Sequence, residues 1–288
     1  MRKLAAIILN YNTPNQTVNL ARQIDQLGHY VVIVDNCSSD DSVNFIRNKI
    51  QELQNCKLIC AETNGGYAKG NNVGIKFAIK EWNVDYVTIM NPDIEMLHKD
   101  TLEKLCQALE EDNNLAGVTA LTIFNEDLNR YNSCAARLLT PVELIFSDLF
   151  FWGQFIKKNY SNLTGNKNLV AYVDKVQGCF FVMKTKEFED IGLFDEHTFL
   201  YFEEDIIGQK VKKSGLKLGV LLSEIIRHNH GVKDREMFNK EKRLFYNKCM
   251  MESKRYYMLN VLKANPLIWK MSYILDSSTR KIKDVLWG

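Results

Sequence analysis

The 288-residue sequence contains no apolar stretch of the roughly 18 residues that a membrane-spanning helix requires. Contact with a bilayer, if the chain makes one, is expected from the side. Seven cysteines (Cys37, Cys56, Cys60, Cys106, Cys134, Cys179 and Cys249) are odd in number and include no CxxC pair. They suggest neither a zinc ribbon nor a disulfide framework, and a reducing cytosol fits them best. Charge of neither sign dominates: 37 Lys and Arg against 35 Asp and Glu leave a net charge of +2, too little for a surface that traps polyanions, so no nucleic-acid partner is expected. Two phosphate-binding loops are missing as well, since no GxGxxG follows the first apolar run and no GxxxxGK[ST] occurs anywhere. A nucleotide, if bound, is held in another way. Internal repeats and low-complexity linkers are also absent. What remains, with 46% hydrophobic and 25% charged residues, is an ordinary globular composition with room for one large domain or two modest ones.

The first 120 or so residues alternate short β-branched runs with longer amphipathic ones, the pattern of βαβ units around a mainly parallel sheet. Strands are expected at Leu4–Leu9, Tyr30–Val34, Lys57–Ala61 and Tyr86–Met90, and helices at Asn15–Leu27, Asp41–Leu53, Ala68–Trp82 and Asp100–Glu111. The first of these runs follows Arg2 and Lys3 but is shorter than a signal-peptide core and meets Asn10 at once, so it reads as a strand. In the second helix Val43, Ile46, Ile50 and Leu53 recur at steps of three and four, which predicts one buried face. Further on, Ala116–Phe124 and Gly178–Met183 read as strands, and Glu204–Ser214 as a helix closed by Gly215. The aromatic segment Pro141–Ile156 suits a buried helix or loops over a site equally well. From Arg235 onward the pattern is helical, basic and rich in tyrosine.

In open parallel α/β sheets ligands bind beyond the carboxyl ends of the strands. Four such ends are polar here: Asn10-Tyr11-Asn12-Thr13-Pro14, Asp35-Asn36-Cys37-Ser38-Ser39-Asp40, Asn64-Gly65-Gly66-Tyr67 and Asn91-Pro92-Asp93. Taken singly each is a turn or a helix cap. Four at consecutive strand ends point to a ligand. The Asp35 carboxylate could accept the imide hydrogen of a uracil or thymine ring, and Asp93 together with substrate phosphates is how Mg²⁺ or Mn²⁺ is commonly held. Phe202-Glu203-Glu204-Asp205 opens a helix with three carboxylates, which complements the helix dipole but also raises the pKa of at least one of them, as a general base needs. Phe199, Tyr201 and Phe202 would keep that site dry. Arg227-His228-Asn229-His230-Gly231, after the strand-like Leu218–Leu222, is by itself a weak metal signal.

Together, in this order, IILNYNT, VDNCSSDDS, NGGYAKGNNVG, NPD, GCFFVMK, GLFDEHTFLYFEED and the His-containing segment resemble the inverting family 2 glycosyltransferases of the GT-A fold, within them the rhamnosyltransferase-like branch that builds bacterial surface polysaccharides. The resemblance runs from about Leu4 to Gly231. It implies an α/β GT-A domain over residues 1–232, with a mostly parallel central sheet and flanking helices, and leaves 233–288 as a basic helical tail. It implies that Asn10, Tyr11, Asn12, Asp35, Asn64, Gly65, Lys69 and Asn91 line the nucleotide, and that Gly178 and Cys179 border donor sugar and acceptor. Asp93 and His228, with His230 as competitor, would meet Mg²⁺ or Mn²⁺. Asp205 is the expected base, with Glu204 as the alternative. One departure from the family pattern is Ile207, where an acidic residue often stands two positions after the ED pair.

The expected donor is a nucleotide sugar, dTDP-rhamnose first and UDP-sugars next. The expected acceptor is a saccharide or lipid-linked saccharide, faced by the segment Leu138–Asn168. The alternatives are a sugar-1-phosphate nucleotidyltransferase, which would carry a Gly-rich, Arg-containing loop where Asn10-Tyr11-Asn12 stands, and a catalytically silent GT-A-like binding protein, which would not need carboxylates at both the metal and the base positions. The charge is unevenly divided. Residues 233–288 hold 13 Lys and Arg against 6 Asp and Glu, a balance of +7, which leaves −5 on the rest. With Tyr246, Tyr256, Tyr257, Trp269, Tyr273 and Trp287 interleaved, the tail suits an anionic membrane surface, or packing on the body or on a second subunit as a homodimer. The expected location is cytoplasmic, on the inner face of the cell membrane.

Overall fold

A computed structural model of the chain describes residues 2–124, 135–147, 169–229 and 240–287. Strands β1 (Leu4–Asn10), β2 (Tyr30–Asp35), β3 (Cys56–Cys60) and β4 (Tyr86–Met90) alternate with helices α1 (Pro14–Gln26), α2 (Ser42–Lys49) and α3 (Gly66–Trp82). β5 (Ile94–Met96), α4 (Thr101–Glu111), β6 (Leu115–Phe124), β7 (Ala135–Ala136) and α5 (Pro141–Phe146) follow. The second half adds β8 (Val170–Val173), β9 (Lys175–Val176), β10 (Phe180–Lys184), α6 (Thr185–Asp190), α7 (Glu203–Lys213) and β11 (Lys217–His228). Helix α8 (Lys240–Tyr256) passes through a π turn at Tyr257–Val261 and is succeeded by α9 (Pro266–Trp287).

The main sheet runs β3-β2-β1-β4-β10-β6-β11-β5, with β8 on the far side of β11. Pairing is parallel through β3, β2, β1 and β4 and again between β6 and β11, whereas β10 enters antiparallel between β4 and β6. Because β10 reverses twice over, the carboxyl ends of β1, β2, β4, β6 and β11 all lie along one edge, together with the amino end of β10. The chain order changes direction at β1, which has β2 on one side and β4 on the other. That is the crevice where an open α/β sheet takes its ligand.

Period-two alternation divides the strands between two cores. Leu4, Ala6 and Ile8 pack with Leu20 and Ile24 of α1 and with Leu102, Leu105 and Leu109 of α4. Ala5, Ile7, Val32 and Val34 face the other way, onto Ala68, Ile75 and Ala78 of α3 and Val211 of α7. Covered on both faces, these strands are continuously apolar, as buried parallel strands are. The small residues of the NGGYAKGNNVG segment have a packing role. A Cβ on Gly70 would stand 2.5 Å from Leu9, and one on Gly74 2.6 Å from Ile7 and 2.9 Å from Val34, so α3 lies too close to the sheet for side chains at these positions.

Two elements differ from expectation. Helix α2 stops at Lys49, although Ile50 and Leu53 still pack on the core from the turn that follows. Strand β11, expected to end near Leu222, continues to His228 across a register shift between Leu221 and Ile225 and pairs there with β5, which is too short to leave a periodic signal. The start of α5 is a capping box: Glu143 N donates to Thr140 Oγ1 and Thr140 N donates to Glu143 Oε2, with Pro141 at the first helical position. The rest of the segment expected to face an acceptor, 148–168, and the 232/233 boundary lie outside the described residues.

Replacing Gly74 with Val should destabilise the fold by about 1–3 kcal/mol through overpacking against Ile7 and Val34. Chemical denaturation checks this, and an unchanged midpoint would show that α3 can move away from the sheet at no cost.

Candidate active site

At the end of β1, Asn10 is fully buried and its side-chain amide donates to Asp35 Oδ2 at 2.7 Å and to Ser38 Oγ at 3.1 Å. Its carbonyl oxygen accepts from Thr17 Oγ1 at 2.8 Å, so the side chain ties β1 to β2 and α1. Asp35, only 1% exposed, also accepts from Ser38 N at 2.9 Å and Ser38 Oγ at 2.7 Å. The predicted base-binding carboxylate is therefore already fixed in the floor of the crevice. Asn12 and Cys37 take positive φ, 57° and 61°, which turns their loops toward each other, and Asn12 exchanges hydrogen bonds with Ser39. Tyr11, 47% exposed, stands free to stack on a ring.

The third loop closes the opposite side. Asn36 Nδ2 donates to Asn64 Oδ1 at 2.9 Å and to Gly66 O at 3.1 Å, and Gly66 N donates to Asn64 Oδ1 at 3.0 Å. Gly66 has φ 84°, and a Cβ there would meet the Phe199 carbonyl at 2.2 Å, so this position is closed to side chains on two grounds. Lys69 is exposed on the first turn of α3, its stem folded beside Gly65.

Beyond β4, Asp93 Oδ2 lies 3.2 Å from Nε2 of the buried His228, the last residue of β11. Asn229 N donates to Asp93 O at 2.9 Å, and Ile94 pairs with His228 across β5 and β11. The short β5 is what brings NPD and the distant His228 together. His230 lies outside the described residues. Among the described residues no group of three or more His, Cys, Asp or Glu is placed to hold a metal ion. One carboxylate and one imidazole form a partial set of O and N donors, the kind that substrate phosphates and waters complete around Mg²⁺ or Mn²⁺.

The loop that carries Asp93 is bonded to the mouth of β10: Asn91 N donates to Cys179 O at 2.8 Å. The residue before it, Gly178, donates its N–H to Glu204 Oε1 at 3.0 Å, and its carbonyl accepts from Tyr67 OH at 2.6 Å. A Cβ on Gly178 would lie 2.5 Å from Glu204 Oε1, so the glycine is what lets the carboxylate approach. Burial raises the pKa of both Glu203 and Glu204; neighbouring carboxylates add to the rise, while the nearby Lys175 opposes it at Glu204 without cancelling it. Asp205, also buried, instead forms an ion pair with Lys175 of β9, on the side of α7 turned toward the π turn. The three consecutive carboxylates thus occupy three environments, and Glu204 is the one bonded to the strand mouth that also carries Asn91.

Sequence reasoning missed Lys175 and the buried Glu224, neither of which stands in a motif, and gave Tyr67 of the NGGYAKGNNVG segment no role. Glu224 sits on β11 where the register shifts, and accepts from Thr101 Oγ1 at 2.7 Å and Lys104 Nζ at 2.8 Å, with His98 Nδ1 at 3.2 Å. It fixes the start of α4, and so the far end of the segment leading away from Asp93, to the strand that ends in His228. The expected aromatic surface of the tail is largely spent on packing. Tyr257 is fully buried against Phe202, Trp269 packs beside it, and Tyr256 donates to Asp195 Oδ2 at 2.9 Å while stacking on His197.

A family model described as "Glycosyl transferase family 2" matches residues 7–184. The chain belongs to glycosyl transferase family 2. Among curated proteins it is 26% identical over 216 residues to the low-salt glycan biosynthesis hexosyltransferase Agl10 of Haloferax volcanii, covering 75% of this chain and 64% of that one. It is 26% identical over 114 residues to the dTDP-rhamnosyl transferase RfbF of Shigella flexneri, covering 39% of this chain and 36% of that protein. The chain thus spans less than two thirds of the length of either relative. Solved structures share its fold: GalNAc-T7 with UDP, GalNAc and Mn²⁺ has a TM-score of 0.59 at 15% identity, over 80% of this chain and 44% of that one. The mannosyltransferase PcManGT of Pyrobaculum calidifontis, in complex with GDP-Man and Mn²⁺, has a TM-score of 0.55 at 12% identity, over 98% and 76%. Residues 1–184 of this family 2 member hold the loops on Asn10, Asp35, Asn64, Asn91 and Gly178, and the matched segment ends with β10. Glu204 and His228 are supplied by the part that follows it.

Burial would raise the Glu224 carboxyl, but hydrogen bonds from Lys104, Thr101 and His98 outweigh it and hold the pKa below its ordinary value. The carboxylate therefore adds stability above its unfolded-state pKa of about 4.3 and loses it as pH falls through the lower folded value. Glu224→Gln should lower Tm at pH 7, with the gap to the parent protein closing below about pH 4. A gap independent of pH would show that charge on Glu224 plays no part.

Proposed function

We propose that this family 2 glycosyltransferase moves a hexose, with rhamnose favoured, from a nucleoside diphosphate to a hydroxyl of a lipid-linked saccharide in surface polysaccharide assembly, inverting the anomeric centre. One observation carries the reading. Gly178 and Cys179, adjacent at the mouth of β10, bond Glu204 through an N–H and the Asn91-Pro92-Asp93 loop through a carbonyl. A candidate base and a candidate diphosphate site are thereby held on either side of a two-residue mouth. The sugar type follows the named activities of the relatives, a hexosyltransferase and a dTDP-rhamnosyl transferase. The UDP and GDP-Man bound to the structural neighbours support a nucleotide donor.

Tyr11 and the loops fixed by Asn10, Asp35 and Asn64 bound the place for base and ribose, with Lys69 at its rim. Asp93 and His228 would hold Mg²⁺ or Mn²⁺ on the donor diphosphate, in keeping with the Mn²⁺ of the structural neighbours. Such an ion, when bound, supplies charge neutralisation for a departing diphosphate. Glu204 takes the proton from the acceptor hydroxyl, whose oxygen attacks the anomeric carbon from the face opposite the donor. The bond from that carbon to the diphosphate breaks, and the diphosphate leaves with the electron pair. Asp205, the base expected from the sequence, is better placed to hold α7, because it is bound in an ion pair to Lys175. Glu204 must be deprotonated to act, and its pKa lies above the ordinary carboxylate value, so transfer should rise with pH along a limb above that value.

Glu204→Gln should reduce transfer to a saccharide acceptor by about 10²–10⁴-fold while donor binding persists, and Asp205→Asn should cost less. The opposite order of effects would return the base to Asp205. Titration of dTDP- and UDP-sugars by calorimetry should show tightening by Mn²⁺ that Asp93→Ala removes. Equal affinity of that variant with and without metal is expected, and retained metal dependence would move the ion elsewhere.

A further inference from the structure

We infer that the outward face of α9 seats this chain on an anionic lipid surface, an inference that rests on the lipid-linked acceptor proposed above. The observation is an inverted helix. On α9 the buried positions Ser272, Asp276 and Thr279 are polar, whereas Leu267, Met271 and Ile274 are 68%, 55% and 53% exposed. A helix packed on a globular body in water shows the reverse distribution. Leu267, Met271 and Ile274 are spaced at i, i+4 and i+7, so they form one stripe about 10 Å long. Tyr273 and Lys270 flank it, both exposed.

The face cannot simply turn inward, because the other side is locked. Lys254 Nζ bonds Asp276 Oδ2 at 2.8 Å with both side chains 1% exposed, and Ile268 and Trp269 pack with Tyr257, Met258 and Ile206. Breaking that ion pair to rotate the helix would leave buried charge without its counterion. Charge selects the occupant. Lys270 stands exposed beside the stripe while Asp276 is buried on the other side against Lys254, so the charge shown with the stripe is positive, which anionic headgroups complement and the same face of a second copy does not. Among the described residues no helix is long and apolar enough to cross a membrane. The stripe therefore lies in the plane of the interface, with apolar side chains among the acyl chains and Lys270 at the headgroups.

The test uses the full chain and vesicles of phosphatidylglycerol mixed with phosphatidylcholine, with phosphatidylcholine alone as the second arm. The parent protein should sediment with the anionic vesicles and only weakly with the neutral ones. Leu267→Glu, Met271→Glu and Ile274→Glu combined should weaken anionic binding by about tenfold or more at unchanged Tm. If the triple variant fails to fold, Met271→Gln with Ile274→Gln should give a smaller loss of the same kind. Failure of the parent protein to bind anionic vesicles, or undiminished binding by a folded variant, overturns the inference. So does a parent dimer that the variant converts to a monomer without lipid, which would make the stripe a self-interface. Vesicle binding is read without any sugar, and donor turnover on a soluble acceptor without any lipid. Turnover without vesicle binding sinks the docking surface alone, and vesicle binding without turnover sinks the proposed chemistry alone.

Discussion

Everything at the site depends on how closely α7 approaches the mouth of β10. Gly178 has no side chain, so its N–H reaches Glu204 Oε1 at 3.0 Å, and the next carbonyl, of Cys179, remains available for Asn91. Two consecutive backbone groups thus couple a helix N-terminus to the loop that follows β4. The arrangement needs β10 to run antiparallel, since only then does its amino end share an edge with the carboxyl ends of β1, β2 and β4. A parallel strand there would present its carboxyl end instead, and a crossover helix would take the place of α7. The reversal in the sheet is therefore what brings α7 and its carboxylates to the crevice beside β1 and β4.

The approach of α7 has a backbone cost. Tyr201 and Phe202 both hold positive φ, 76° and 69°, immediately before Glu203, and each non-glycine residue in that region costs about 1–3 kcal/mol. The offset comes from packing, with Phe202 against the buried Tyr257. Carboxylates with raised pKa values add to the cost at neutral pH, because burial favours their protonated forms. A site that keeps a base poised by burial is expected to be held by contacts beyond its own residues, and the tail provides them.

What the sequence made legible was set by periodicity and by runs of turn residues. The four leading strands and three of the four leading helices fall within about two residues of their expected bounds, because each has a clear period and a polar terminus. β5 and the extension of β11 did not show, since three residues carry no period and a register shift at Leu221 disrupts one. In the candidate site, the spacing located Asn10, Asp35, Asn91, Asp93 and the carboxylate trio. The resemblance favoured Asp205 over Glu204, but neighbouring positions on a helix point about 100° apart and only their surroundings tell them apart. Lys175, which pairs with Asp205, stands in no motif.

The tail is where composition and structure diverge most usefully. Its aromatic residues suggested a membrane surface, yet Tyr256, Tyr257 and Trp269 serve to fasten it to α7 and to the segment around Asp195. The same fastening gives the outer stripe of α9 its meaning. Ile206 lies two residues after Glu204 on α7 and belongs to the cluster that includes Tyr257, Met258 and Trp269. A force on the outer face of α9 is carried by packed side chains to the helix that positions the candidate base. A freely hinged anchor would only raise the local concentration of enzyme near its acceptor. An anchor packed into the support of the site also fixes which way the crevice faces, and an acceptor confined to a surface can be approached from few directions. In the docking inferred for α9, orientation more than affinity is what a rigidly held, inverted helix would contribute.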